Sequence, residues 1–265
     1  MDEYAALCET CGYDFEGLDH DSKCPECGRS VASSDPAARP GSPWQRQPGL
    51  FSLAATAWEV LRHPSRLFEQ IQIRPGSAGL AAISMLLAGA LVADPWIGVW
   101  VRDPARNVNA LANIGSFVRY GMSFVVGAVG VGLTFLVLTL IEYRGIRFFS
   151  GRRGWRLTKV AAWQICAHAS VAWVLCGILP LVVLALKEAS VRWLHYAPNQ
   201  VLNLGPALPT LSVQDLIGGG GVVLGYFLGM MAFEMLVYVG VRKCRYAARM
   251  RVATKPAFAP SPATT

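Results

Sequence analysis

The sequence predicts an all-α polytopic membrane domain with four transmembrane helices, preceded by a small N-terminal module built on cysteines. The chain is 53% hydrophobic and only 15% charged, whereas about a quarter of the residues are charged in soluble domains. Its apolar residues gather in four long stretches, and four of its seven cysteines stand in two CxxC pairs near the N-terminus. We expect a cysteine module at 1–32, a flexible linker at 33–49, an interfacial helix region at 50–76, the four-helix membrane domain at 77–243, and a basic, then disordered, tail at 244–265.

The two CxxC pairs predict a structural zinc site. They are separated by twelve residues, each is followed directly by glycine, and their members are Cys8, Cys11, Cys24 and Cys27. Each CxxC turn aims two thiolates at one point, and two facing turns give the closed tetrahedral site typical of structural Zn²⁺. Disulfides are the alternative, but the predicted cytoplasmic side is reducing. His20 is an alternative ligand, but four thiolates already complete the shell. We therefore predict a zinc ribbon with no catalytic role.

The charge of this ribbon indicates its kind of partner. Residues 1–30 carry eight acidic side chains against only Lys23 and Arg29, and four thiolates around Zn²⁺ add about two further negative charges. Phosphate would be repelled, which excludes nucleic acid. The composition favours a protein partner, with the basic loops of the same chain as one internal candidate. A solvated acidic cap that contacts nothing is the alternative.

The segment between ribbon and membrane divides into two parts. Residues 33–49 are rich in Ser, Ala, Pro and Gly and have no apolar period, which predicts a flexible tether. Residues 50–76 place apolar side chains at helical spacing among arginines, a pattern typical of amphipathic helices that lie in the membrane interface.

Four apolar stretches, 78–93, 120–141, 160–186 and 216–241, are the predicted spans. A hydrocarbon core of about 30 Å takes about 17 to 25 helical residues. Four buried helices of a soluble protein are the alternative, but little amphipathic sequence remains to cover them. Lys and Arg number seven, three, six, two and six in the successive segments outside the spans. This alternation predicts cytoplasmic N- and C-termini, with basic loops at anionic lipid headgroups.

The chain also resembles known membrane proteins. The phrases VLRHPSRLFEQI and GWRLTKVAAWQICAHASVAWVLCGILP, within residues 50–243, resemble the Yip-type membrane domain. The phrases CETCGYD and CPECG are similar to zinc-ribbon heads of bacterial membrane proteins. The resemblance implies a multi-span helical domain behind a ribbon, in a bacterial inner membrane, and it assigns no residue a role.

Two ionisable residues fall within the predicted spans. His168 and Glu234 lie at matching depths in the third and fourth spans, so we expect them to pair. Such residues are costly in lipid and are candidates for function, here a proton or cation site. A buried pair that fixes helix register is the structural alternative, and it is favoured.

Glycines mark a packing face on the last span. Gly221, Gly225 and Gly229 recur at every fourth residue, a spacing that lets helix backbones approach closely in lipid. Small residues at 123, 127, 128 and 132 of the second span offer a partner surface. Packing within one subunit is favoured over a homo-oligomer contact.

Two classes of function follow. The favoured one is a non-enzymatic integral membrane protein whose cytoplasmic ribbon serves protein contact or recruitment. The alternative is a small transporter or membrane enzyme with a polar site at His168 and Glu234. The sequence contains no HExxH pair, no GxSxG elbow and no cluster of acids within the spans, so the convergent polar groups that catalysis requires are missing.

Overall fold

The computed structural model describes residues 7–34, 39–101, 114–155, 157–193, 201–202 and 211–247 of the chain. From Pro43 onward the described part is mostly helical, whereas residues 7–34 contain one 3₁₀ turn, Ala32–Ser34, and the isolated bridges Leu7–Asp14 and Lys23–Ser30. The predicted disordered tail after residue 247 lies outside the described part. In chain order the helices are α1 Pro43–Arg46, α2 Leu50–Arg62, α3 Pro64–Gln70, α4 Ala78–Val101, α5 Ile114–Arg152, α6 Lys159–Ala169, α7 Trp173–Trp193 and α8 Val213–Cys244. A 3₁₀ turn, Ser170–Ala172, joins α6 to α7. Two short antiparallel strands, β1 Val201–Leu202 and β2 Leu211–Ser212, pair before α8.

Three of the described helical stretches are long and apolar enough to cross a membrane. They are Tyr120–Arg152, Lys159–Ala189 and Gly219–Cys244. The prediction of four such helices is wrong on this count, because the apolar stretch Ala78–Ala93 within α4 is shorter. In the sequence, Asp94 and Pro95 follow it directly. A span needs about 17 to 25 predominantly apolar residues.

Helix α4 nevertheless packs closely along α5. A Cβ atom added at Gly89 of α4 would collide with the backbone carbonyl oxygen of Ala128 on α5. Gly132 of α5 also lies close to α4, because a Cβ there would be 3.3 Å from the carbonyl oxygen of Met85. Ala128 and Gly132, two of the small residues in the second predicted span, therefore pack against α4.

The glycine stripe of α8 lies against α7 of the same chain. A Cβ added at Gly221 would lie 2.5 Å from a methyl carbon of Val183. One added at Gly225 would lie 2.9 Å from Pro180, and one added at Gly229 would lie 2.6 Å from the backbone nitrogen of Cys176. The expectation that α5 would be the partner helix is therefore wrong. The close approach includes Pro180, which lies inside α7.

A stack of three aromatic rings joins the three long helices. The ring of Trp173 lies between Phe135 of α5 and Phe233 of α8, with centroids 4.7 and 4.3 Å away. Its indole N–H donates to the hydroxyl of Thr139, 3.0 Å distant. Offset aromatic stacks add about 0.5–1.5 kcal/mol beyond the burial of their area.

The described part of the segment expected to be a flexible linker is built into the fold. Arg39, Ser42, Trp44 and Gln45 are all buried. Ser42 caps α1, and its side chain accepts a hydrogen bond from the backbone N–H of Gln45. Further bonds reach residues far along the chain, and composition cannot reveal such partners. The interpretation of residues 39–47 as a tether is therefore wrong.

Candidate metal centre

The four cysteines stand on two knuckles of a small N-terminal unit, residues 7–34, which we call the cysteine module. The backbone N–H of Gly12 donates to the carbonyl of Cys8 (2.8 Å), and that of Gly28 donates to the carbonyl of Cys24 (2.9 Å). Both glycines adopt positive φ, +82° and +73°, a conformation that costs other L-residues about 1–2 kcal/mol. Glycine after each CxxC therefore allows both tight turns to form.

The knuckles bring the four thiol groups to one point. All four Sγ atoms lie within 4.8 Å of one another, and the contacts Cys8–Cys27 and Cys11–Cys24 are 3.4 and 3.5 Å. Ligands at the Zn–S distance of about 2.3 Å in a tetrahedron lie about 3.8 Å apart. Cys8 and Cys24 are buried beside Phe15 and Val31. The residues present thus fit a metal ion that prefers thiolates, and four ligands close its shell.

The pKa values of the thiols indicate how readily they deprotonate to become metal ligands. Burial raises the pKa of Cys8, but hydrogen bonds from the backbone N–H groups of Cys11 and Thr10 and from the thiols of Cys27 and Cys11 together lower it to about 7. Burial, together with contacts to the thiols of Cys24 and Cys8, raises the pKa of Cys11. Without a metal the group therefore resists forming four thiolates, and a bound cation would offset that cost.

A buried ion pair between Glu9 and Arg39 docks the cysteine module beside α3 and the end of α8. Oε1 of Glu9 accepts from both Nη2 (2.9 Å) and Nε (3.0 Å) of Arg39. The two side chains are only 8% and 6% exposed. Oε2 of Glu9 accepts from Arg29, at 3.3 Å, and Arg29 is 39% exposed. Glu9 stands between two of the cysteine ligands, so the first knuckle itself carries the contact.

Arg39 joins this pair to the end of α3. Its Nη1 donates to the carbonyl oxygens of Phe68 (3.2 Å) and Ile71 (3.1 Å). Carbonyls at a helix C-terminus lack partners within the helix and favour a cation. Burial alone would lower the pKa of Arg39, but Cys244 and Glu9 beside it raise that pKa above its ordinary value. The guanidinium is therefore a charged cap on α3, and Glu9 balances its charge.

The residues that follow α8 touch the same knuckle. A guanidinium nitrogen of Arg245 donates to the carbonyl of Thr10 at 3.0 Å. The ring of Tyr246 lies so close to Gly12 that an added Cβ would be 2.8 Å from it. The N-terminal module and the C-terminal end of α8 therefore lie at the same end of the helix bundle.

His168 and Glu234 are not brought together. The Nδ1 of His168 lies 2.8 Å from the carbonyl oxygen of Gln164, and its Nε2 lies 2.9 Å from the hydroxyl of Ser42. A carbonyl only accepts, so Nδ1 carries the proton and Nε2 accepts from Ser42. His168 is fully buried, while Glu234 is exposed on α8. The expected pair is therefore wrong, because both ring nitrogens have other partners.

The partner of His168 belongs to a buried polar network that joins α1, α6 and the segment after α3. The side-chain amide of Gln45 donates to Gln72 O (2.8 Å) and to Gln164 Oε1 (3.1 Å). Its oxygen accepts from the backbone N–H groups of Ser42 and Gln72. Gln164 accepts from Ser77 and donates to the carbonyl of Arg74. Every polar atom of Gln45 and Gln164 is satisfied, which is typical of a structural network.

Sequence reasoning identified the four cysteines but missed the residues that dock them. Glu9 was one of eight similar acids, and Arg39 stood in a segment interpreted as a tether. Glu9 and Arg39 lie 30 residues apart, Arg39 and Phe68 lie 29 apart, and no local pattern connects them. Comparison with family models, curated proteins and solved structures gives no match, so the resemblance to the Yip-type domain gains no support.

Proposed function

We propose that this chain is a non-enzymatic integral membrane protein whose cysteine module holds a structural zinc ion and presents a protein-contact surface at the cytoplasmic face. The observation that carries the proposal is the buried contact between Glu9 and Arg39. It fixes the module in one orientation on the helices, which a recruiting surface requires and a freely tethered cap lacks.

Zinc is the ion that best matches the ligand set. Four sulfur ligands in two CxxC turns suit tetrahedral Zn²⁺, and a complete shell leaves no position for a reacting water. A module of this size buries too little apolar surface to fold unaided. The metal would therefore supply most of the folding free energy of residues 7–34.

The distribution of charge supports a cytoplasmic location for the module. The basic residues Arg62, Arg66, Arg152 and Arg242 are exposed. Arg62, Arg152 and Arg242 stand at or near the C-terminal ends of α2, α5 and α8, and Arg66 stands in the first turn of α3. Basic residues flanking spans favour the cytoplasmic side. We place both described ends of the chain there, with the basic groups against anionic lipid headgroups of a bacterial inner membrane.

The outward surface of the module is acidic and suits a basic protein segment. Glu16, Asp19, Asp21 and Glu26 are exposed. Arg29, one of the two basic residues nearby, is bound to Glu9. Phosphate would be repelled by this surface, so a protein is the favoured partner and nucleic acid is not. Steering by such complementary charge raises association rates more than affinity.

A pull-down from detergent extracts tests this function with three forms of the protein. The first is intact, the second lacks residues 1–32, and the third carries Glu16→Gln, Asp19→Asn, Asp21→Asn and Glu26→Gln. The third form keeps every cysteine and Glu9, and its metal content must equal that of the intact protein. Asp14 is left unchanged because its side chain accepts from the backbone N–H of Glu16.

The proposal expects a partner that binds the intact protein and is lost from both altered forms. Loss from the truncated form alone would mean that the exposed acids do not form the contact surface. Identical partner sets in all three forms would contradict recruitment and leave the module as a cap on its own helices.

A further inference from the structure

We propose that the outer face of α2 is seated in the membrane leaflet at the cysteine-module end of the bundle, so that α2 lies in the bilayer interface while α5, α6–α7 and α8 cross it. The occupant of this face is lipid. The proposal concerns a surface that the metal centre does not use, and it stands independently of any recruited partner.

The outer face of α2 is apolar, and no residue in the described part of the chain covers it. Leu50 and Phe51 are 79% and 94% exposed, and Trp58 is 62% exposed. Leu61 is exposed on the same helix, one turn after Trp58. Singly scattered apolar side chains are ordinary on a protein surface, but four on one helix face form a patch that marks a contact.

The rotation of α2 is fixed by its inner face, so the outer exposure is not accidental. The hydroxyl of Thr56 accepts from the backbone N–H of Trp44 at 2.9 Å, and Thr56 is fully buried. Val60 is buried in the main core of the helix bundle. A helix held on this side must present Phe51 and Trp58 outward.

Neighbouring contacts set the depth of α2 along the bundle. Leu53 and Ala57 pack against a small core of Trp44, Leu80 and Val171. Leu80 stands in the first turn of α4, and the apolar stretch of α4 begins at Ala78. α2 therefore lies level with the start of the apolar stretch of α4, a helix that packs along the membrane-capable α5. We infer that headgroups meet acyl chains at this level.

The end of α2 has the chemistry of an interfacial anchor. The guanidinium of Arg62 lies 5.2 Å from the centroid of the Trp58 ring. Tryptophan is enriched at the level of the headgroups, and arginine extends its charge toward lipid phosphates there. An apolar face with a basic terminus fits a bilayer better than it fits a second protein surface, which would have to bury the arginine.

The exposed surface of the neighbouring helix α4 is also apolar. Beyond Leu80, which shares a small core with α2, helix α4 exposes Ile83, Leu86 and Leu87. Such side chains on a helix packed beside membrane spans face acyl chains. The apolar face of α2 is thus placed at the edge of a surface that is already lipid-facing.

Spin-label accessibility tests this placement in the full-length, metal-loaded protein. Phe51→Cys is labelled and reconstituted into vesicles of mixed zwitterionic and anionic phospholipid, and the signal of the unsubstituted protein is subtracted. Relaxation by oxygen, which concentrates in lipid, is compared with relaxation by a water-soluble nickel chelate. Val126→Cys on the exposed face of α5 gives the lipid reference, and Asp21→Cys on the cysteine module gives the water reference. Metal content is measured after labelling, because the reagent also meets the cysteine ligands.

The proposal expects the ratio of oxygen to nickel accessibility at residue 51 to resemble that at 126 and to exceed that at 21 several-fold. A ratio equal to that at 21 would place the face in water and overturn the proposal. Shielding from both reagents would also overturn it, since that result means a protein surface, such as a second copy, covers α2. Phe51 is almost wholly exposed, so its substitution leaves the fold intact.

Discussion

The carboxylate of Glu9 contacts the guanidinium of Arg39 at 2.9 Å, with both side chains nearly buried. Glu9 lies between Cys8 and Cys11 of the metal centre, and Arg39 caps the last carbonyls of α3. The relationship therefore joins the first cysteine knuckle to α3 and the end of α8 through one charge pair. Breaking such a pair leaves a buried charge without compensation, which costs far more than its net contribution to stability.

Removal of Arg39 should release the cysteine module from the helices. Arg39→Ala is expected to weaken docking by about 3 kcal/mol or more, because Glu9 would lose its buried partner. Arg29→Ala is the matched control, since Arg29 binds the same carboxylate from an exposed position, where pairs contribute about 0–1 kcal/mol. The rate of limited proteolysis within residues 7–34 measures the opening. Equal rates in the two variants would mean that the buried pair does not hold the module.

Loss of one cysteine ligand should remove the metal and unfold the module. Cys8→Ser is expected to leave the purified protein without bound zinc, because three thiolates and a hydroxyl no longer match the site. Cys176→Ser is the control, as Cys176 is a buried thiol of α7 outside the four-cysteine group. Elemental analysis of metal per chain distinguishes them. Unchanged zinc in the Cys8 variant would contradict the ligand assignment.

The two knuckle glycines should differ in what their substitution costs. Gly12→Ala and Gly28→Ala both force alanine into positive φ, at about 1–2 kcal/mol each. Only Gly12 faces another residue, Tyr246, and Gly28 has nothing within 4 Å. Gly12→Ala should therefore increase proteolysis of the module more than Gly28→Ala does.

A double substitution isolates the contact between the module and the residues after α8. Gly12→Ala combined with Tyr246→Ala removes the collision and keeps the backbone strain. We expect the combined variant to recover most of the difference between the two single glycine variants. If it does not, the ring of Tyr246 does not lie over Gly12.

The glycine stripe of α8 should tolerate no added methyl where α7 approaches. Gly229→Ala would push against the backbone and thiol of Cys176, and overpacking of this kind costs about 1–3 kcal/mol. Gly220→Ala in the same helix has nothing within 4 Å and should be neutral or slightly stabilising, because alanine favours helix. Thermal unfolding in detergent measures both. Equal midpoints would contradict the α7–α8 contact.

How far the sequence predicts this structure depends on whether the relevant pattern is local. The CxxC pairs with their glycines predicted the clustered thiols, since each knuckle forms within a few residues. Hydropathy predicted long membrane helices but counted Ala78–Ala93 among them, although that stretch is shorter than the rest. The spacing of Gly221, Gly225 and Gly229 predicted a helix-packing face, but it did not predict that α7 is the helix packed against it.

Polar partners were the harder part to predict. His168 was expected to meet Glu234 because both fall at similar depth, yet depth says nothing about which way a helix is rotated. Its actual partner, Ser42, lies 126 residues earlier in the chain, in a segment whose composition resembles a linker. Hydrogen bonds between residues far apart in the chain leave no local sequence pattern. Such bonds hold residues 39–47 in a buried position.

The central claim is that a bound metal folds the cysteine module and keeps it docked on the helices. Amide hydrogen exchange of the full-length protein in vesicles, with its metal and after removal by a chelator, tests this claim most directly. We predict that metal removal increases amide exchange within residues 7–34. Exchange should also increase at residues 39–47, because Arg39 loses its counter-charge. The amides of α7 and α8 where the two helices meet should stay protected. Unchanged exchange in both segments after the metal is gone would contradict the account.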